Sequence, residues 1–259
     1  MIVQHAGDRL LLITQHDHSR LSGRIMSRCT SLAGHPRRGS ILLAITEHDN
    51  GWVEEDAAPK VDTESGEIVD FVRAPAGIKH AVWPRAVRHL SMEPWSAALV
   101  AQHAIAVYDR FRADDAWAPF FATMEQLRDT MLREEGGRTD DLAADYAFVR
   151  LGDLISLCFC TGWPDEQQHD RWRVRRSGAD VIVTPDPFGG ERLSVEVPAR
   201  ALMAKPYRTG QELAAALRSS EPTTLAGEVS GSTAATVAKA PTSAQAVALI
   251  LGSPEFQKR

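Results

Sequence analysis

The sequence predicts a mainly α fold, a helical bundle followed by a small C-terminal β-containing appendage. Three observations predict it. Over most of residues 1–165, apolar residues recur at spacings of three and four, which places them on one face of a helix. Short β-branched-rich runs separated by Gly-containing pairs gather in residues 166–225, as strands and turns do. Residues 226–259 open on a Gly/Ser/Thr/Ala-rich stretch that reads as a flexible linker. A chain of 259 residues is long enough for one large domain with an appendage. The expected organisation is a helical domain over 1–165, an extension packed on it over 166–225, and a linker with a terminal helix and tail over 226–259.

The elements follow in order. Residues 1–14 open with a short strand pair turning near Asp8-Arg9. Asp17 is placed to cap a helix through Leu21, Ile25 and Met26, its carboxylate accepting a backbone N–H. Residues 41–48 are apolar on most sides, the mark of a helix buried nearly all round, and Gly51 stops it. Residues 52–92 are rich in Pro, Gly and charge and read as a long surface excursion, a kind of segment that is often functional. A helix resumes after Pro94 through Leu99, His103, Val107 and Phe111. The next covers 118–133 and ends before Gly136-Gly137. A third covers 139–160 and carries Leu142, Tyr146, Val149, Asp153 and Leu157. Strands are expected at 172–176, 181–184 and 193–197, then an amphipathic helix at 209–218. Residues 245–257 read as a terminal apolar helix with a tail, which resembles the C-terminal end of the uncharacterised family DUF1800.

Composition narrows the function. Apolar residues are 44% and charged residues 24%, ordinary for a soluble globular protein. No apolar run reaches the roughly 18 residues of a membrane span, and the first residues lack the basic-then-apolar pattern of a secretory leader. Cys29, Cys158 and Cys160 form no disulfide framework, so the expected compartment is the reducing cytoplasm. The two flanking Phe159 are expected to be buried as small apolar residues. A net charge of −5 with mixed signs argues against a nucleic-acid-binding surface. The expected partner is a small molecule, with neither nucleic acid nor membrane.

Histidine and aspartate recur inside apolar neighbourhoods: His16-Asp17-His18, His48-Asp49, His103 and Asp153. Burying an ionised carboxylate without a partner is costly, so such groups pair or bind metal. Asp153 has Arg150 nearby, whereas His48 and Asp49 have no adjacent cation. Imidazole and carboxylate together suit a divalent metal, and helices of a bundle bring such ligands together. A metal held this way lowers the pKa of bound water and supplies hydroxide near neutral pH. Each residue also has a plainer reading. His48-Asp49 fits a helix C-cap with a core histidine, Asp153 an interhelical salt bridge, His103 a core histidine, and His16 a surface position or one beside the site. His169 lies in a polar stretch and is expected to be solvated.

The ordered set His18, His48-Asp49, Asp153 resembles the signature of the HD-domain superfamily of metal-dependent phosphohydrolases. Residues 41–51 are similar to that family's apolar helix ending in His-Asp-x-Gly. His18-Ser19-Arg20-Leu21 is similar to its first-histidine helix, and residues 150–156 to its last-aspartate helix. The resemblance covers roughly residues 14–160 and implies an HD-like bundle. His18, His48, Asp49 and Asp153 would then hold a divalent ion (Mn, Fe, Co, Zn or Mg), with water attacking a phosphoester. It also implies that His103, with His80 or His89, is a second-metal ligand or that His103 is a proton donor. Many members carry Gly-Lys after the dyad, but here Trp52 follows Gly51. The phosphate clamp is therefore sought in Arg20, Lys79, Arg85 or Arg88, and Asp56 and Trp52 are placed at the site mouth, with Arg20, Arg85, Asp56 and His103 as candidate catalytic residues. A closer resemblance is to the uncharacterised bacterial family DUF3891. It rests on Gln15-His16-Asp17-His18 with Leu21-Ser22-Gly23, on residues 48–52 with Asp56 and Pro59, and on Asp186-Pro187-Phe188. Two other readings stay open: an HD-fold di-iron oxygenase, and a non-enzymatic binding module that retains the scaffold.

Overall fold

A computed structural model of the chain describes residues 1–232, so the terminal helix expected over 245–257 lies outside the described residues. In chain order the elements are β1 (Ile2–Ala6), β2 (Arg9–Ile13), α1 (Gln15–Met26), α2 (Arg38–Glu47), α3 (Val53–Ala57), α4 (Ala76–His89), α5 (Pro94–Tyr108), α6 (Ala118–Glu135), α7 (Thr139–Thr161), β3 (Gln167–His169), β4 (Trp172–Ser177), β5 (Asp180–Thr184), β6 (Arg192–Met203), α8 (Gly210–Ser219) and β7 (Pro222–Gly231). The fold is α/β, which corrects the mainly α expectation. All seven strands join one curled sheet in the order β1-β2-β6-β7-β5-β4-β3. Pairing is antiparallel except between β5 and β7.

Two strands account for the difference. β6 runs past Val197, where Pro198 marks its expected end. Pro198 faces Thr224 of β7, and β2 joins β6 only from Arg200 onward. The proline thus sits where β6 has a neighbour on one side, the position in a sheet that tolerates it. β6 thereby links the N-terminal hairpin to the later strands. β7 covers residues 226–231, where a linker is expected. Its small residues let it lie close under α7: a Cβ on Gly227 would stand 2.8 Å from the Phe159 ring.

The helices are mostly where the periodicity puts them. α1 is capped by Thr14, not Asp17. Thr14 Oγ1 accepts from Asp17 N at 2.9 Å, which caps the helix, while its hydroxyl donates to Asp17 Oδ2 at 2.7 Å. α4 lies inside the expected surface excursion and tolerates Pro84 at the loss of one helical hydrogen bond. Residues 151–160 of α7 are all buried, because α7 packs on α1, α2 and α5 and also on the sheet. Gly152 permits that approach: a Cβ there would lie 2.8 Å from Met26 Cγ and 3.1 Å from Ile45 Cγ2. One apolar cluster runs from Ile2 to Val229 and spans helices and sheet, and a smaller one gathers Leu10, Ile68, Leu202, Tyr207 and Leu213. The boundary expected at 226 falls inside β7. Among the described residues no helix is long and apolar enough to cross a membrane, and the three cysteines are buried and unbridged.

Two substitutions test this packing by urea unfolding. Thr14→Ala removes the α1 cap and is expected to destabilise by about 1 kcal/mol. Gly152→Ala forces a methyl between α7, α1 and α2 and is expected to cost about 1–3 kcal/mol.

Candidate metal centre

Four helices deliver five buried donors to one point. His18 comes from α1, His48 and Asp49 from the end of α2, His103 from α5 and Asp153 from α7, and none is more than 5% exposed. The Nε2 atoms of His18 and His48 are 3.3 Å apart. His18 Nε2 lies 3.3 Å from Asp153 Oδ1 and 3.7 Å from Asp49 Oδ2. His48 Nε2 lies 3.5 Å from Asp49 Oδ2 and 3.6 Å from Asp153 Oδ1, and His103 Nε2 lies 3.7 Å from Asp153 Oδ2. Donors at about 2.0–2.2 Å from a shared ion stand about 3.0–3.6 Å from one another, so the spacing fits a metal. Two overlapping sets could hold an ion, His18/His48/Asp49 and His48/His103/Asp153. Both use His48, so the two sets overlap in space.

Outer partners aim the rings. His48 Nδ1 faces Ile45 O at 2.7 Å; a carbonyl only accepts, so Nδ1 carries a hydrogen and Nε2 is the atom that can offer a lone pair to the centre once its own proton leaves. His18 Nδ1 meets Ser156 Oγ at 2.8 Å, and Ser156 meets Ser22 Oγ at 2.9 Å. His103 Nδ1 meets the Tyr146 hydroxyl at 3.3 Å.

Burial and pairing set the charges. Burial works against a charged His48, but Asp49 and Asp153 outweigh it and push its pKa up to about 9. Burial likewise opposes charge on Asp153, yet the hydrogen bonds from His18 and His48, with the charge of Arg150, hold its carboxyl well below the usual range. Arg150 Nη1 donates to Asp153 Oδ2 at 2.5 Å. Desolvation raises Asp49 and drives His103 well below the ordinary histidine value. Burial thus favours the neutral form of His103.

A pocket of about 270 Å³ opens on this centre, lined by Asp49, His103 and Asp153 and by Trp52, Lys79, Trp83, Tyr108, Arg110 and Arg150. The other sequence candidates lie elsewhere. Arg20 and Arg88 are exposed away from the pocket lining. Arg85 donates to Gly51 O at 2.9 Å and pairs with Glu54 at 3.2 Å beside a different cavity. Asp56 is buried in structural bonds, accepting from Gln15 N at 2.6 Å and pairing with the Met1 ammonium at 2.5 Å. His80 packs against Trp117 and Phe120, and His89 is exposed. His169 is half-buried edge-on to Tyr146, not solvated. No sequence motif marks Arg110, Tyr146 or Ser156 as site residues, and Arg150 stands out there only as a partner for Asp153. Residues 146, 150, 153 and 157 follow helical spacing on one face of α7, which is the signal that marks two of them.

Fold and site define an α/β protein with a buried His/Asp cluster that could hold a metal ion. The chain belongs to the family described as "Protein of unknown function (DUF3891)", whose model matches residues 1–204. No curated protein matches it, and no solved structure does. Asp186-Pro187-Phe188 lies in the matched span and is a clasp. Asp186 accepts from Phe188 N at 2.7 Å and Gly190 N at 2.6 Å, and Thr30 N donates to Pro187 O at 2.9 Å.

The raised pKa of His48 has a testable sign. In metal-free protein its protonated form stabilises the fold fully below the unfolded value of about 6.5, and that contribution is lost as pH rises through about 9. The thermal midpoint of chelator-treated protein is expected to fall across this window, and His48→Gln is expected to flatten the fall. Metal uptake at neutral pH is expected to release protons, read in a weakly buffered indicator solution.

Proposed function

We propose that the protein is a metal-dependent hydrolase of a small phosphoester. The observation that carries this reading is the convergence of His18, His48, Asp49, His103 and Asp153 at metal-ligand spacing on a small-molecule-sized pocket. The ordered His, His-Asp, Asp set, which resembles the HD-type signature, supports it further. His18, His48, Asp49 and Asp153 would hold the ion. When bound, a divalent ion supplies a Lewis acid and a lowered pKa for water.

The protein's own side chains supply the rest. Water attacks phosphorus, and the bond from phosphorus to the leaving oxygen breaks. His103, neutral and at the pocket wall, takes the proton from water and returns it to the leaving oxygen. An anionic substrate raises the proton affinity of that imidazole. Arg150, held on Asp153, supplies positive charge where negative charge develops on the phosphoryl oxygens. Arg20, Arg85 and Asp56 have no part in this scheme because they lie off the pocket. Trp83 and Tyr108 form an apolar wall for the leaving group.

Elemental analysis of untagged protein tests the centre. A divalent metal is expected, lost in folded His48→Ala and Asp49→Asn variants. A panel of phosphate mono- and diesters is expected to give turnover, with Arg150→Met lowering kcat by about 10²-fold. Absence of metal, with no uptake of added Mn, Fe or Zn, would sink the reading.

A further inference from the structure

The pocket beside the His/Asp centre carries positive charge that the protein leaves unpaired. Lys79 on α4 is only 7% exposed, and its ammonium donates to Val72 O at 2.6 Å and stands 5.9 Å from the Tyr108 ring centroid. Arg110, just beyond α5, lines the same pocket, with its guanidinium 4.7 Å from the Phe111 ring centroid. Among the described residues neither cation forms an ion pair. Asp70, whose charge reaches Lys79, is engaged with Arg73 instead, accepting from its backbone N–H at 2.8 Å and facing its guanidinium at 3.8 Å. Burial, and then the charge of Arg110, hold Lys79 below the usual lysine pKa. Both effects mean that the protein alone does not satisfy this charge.

Two cations that line one pocket repel, and an anion between them removes the repulsion. Arginine contributes a planar fork for an oxyanion and lysine a point charge. The aromatic faces of Trp83 and Tyr108 complete the lining with apolar surface. The volume of about 270 Å³ lies just below the usual range for ligand pockets, which suits a small molecule. We infer that Lys79 and Arg110 form an acid-binding subsite, and that the pocket takes a small organic acid. Its carboxylate or phosphate lies on the two cations and its carbon body on Trp83 and Tyr108. This inference rests on the proposed function for the claim that the acid reacts, not for the claim that it binds.

The test is direct binding to the full chain in chelator, so that it does not depend on turnover. Phenylphosphonate and benzoate are titrated by calorimetry and by tryptophan fluorescence, since Trp52 and Trp83 line the pocket. One of the two acids is expected to bind, and which one binds identifies the acidic group. Lys79→Met and Arg110→Glu are each expected to weaken binding about tenfold or more. Arg133→Glu, an exposed change outside the pocket lining, is expected to leave it unchanged. Arg110 is exposed, so its variant remains a fair test even if Lys79→Met fails to fold. Binding of neither acid, or binding undiminished in Arg110→Glu, overturns the subsite. Phosphoester turnover without such binding overturns the subsite alone, and binding without any turnover or metal overturns the hydrolase reading alone.

Discussion

Two carboxylates and three imidazoles are buried together at the floor of one pocket, and the rest of the structure is arranged around that fact. A single charge left unpaired there would cost several kcal/mol. The groups therefore compensate one another. His48 keeps a proton because Asp49 and Asp153 face it, and Asp153 stays ionised because histidines and Arg150 surround it. Asp49 and His103, where desolvation prevails, are pushed toward their neutral forms. A divalent ion would take over the same compensation, exchanging for the proton on His48. The cluster is thus tolerable without metal and is already spaced for it.

That arrangement depends on α7. The helix brings Asp153 to the centre, Ser156 to His18, Tyr146 to His103 and Arg150 to the pocket wall. It must approach α1 and α2 closely on one face, which Gly152 permits, while its other face needs cover. The sheet supplies that cover: Phe159 rests against β7 at Gly227, and Phe148 lies near Trp172 of β4. The sheet is therefore the second wall of the core that holds the metal-ligand residues in register.

The parts that were legible in the sequence have local causes. Helical spacing located α1, α5, α6 and α7, and the polar residues set within those apolar faces are the ones that converge. The expectation of a mainly α fold failed where the cause is long-range. Pro198 disguises a strand that is paired on one side only at that point, and the small residues of β7 look like a linker until Phe159 is laid over them. The candidate cations divide on the same ground, since Lys79 lines the pocket and Arg20, Arg85 and Arg88 do not. Arg20 and Arg85 are near the motif in sequence but lie off the pocket, whereas Lys79 reaches it from α4, and Arg110, which no motif marks, reaches it from the end of α5. Proximity along a chain says little about which face of a helix, or which of several helices, lines a cavity.

The pocket's charge runs against that of the protein as a whole. The chain carries a net charge of −5, yet Lys79, Arg110 and Arg150 gather at this cavity, with Asp49 and Asp153 at the buried centre. A divalent ion replacing one proton at His48 would make the cavity more positive still, and so more favourable for an acid. By linkage, an acid held on Lys79 and Arg110 would then favour the ion to the same degree. On this view the unpaired cations and the buried ligands are two halves of one electrostatic device. Each half is incompletely satisfied by the protein, and each is completed by a ligand that strengthens binding of the other.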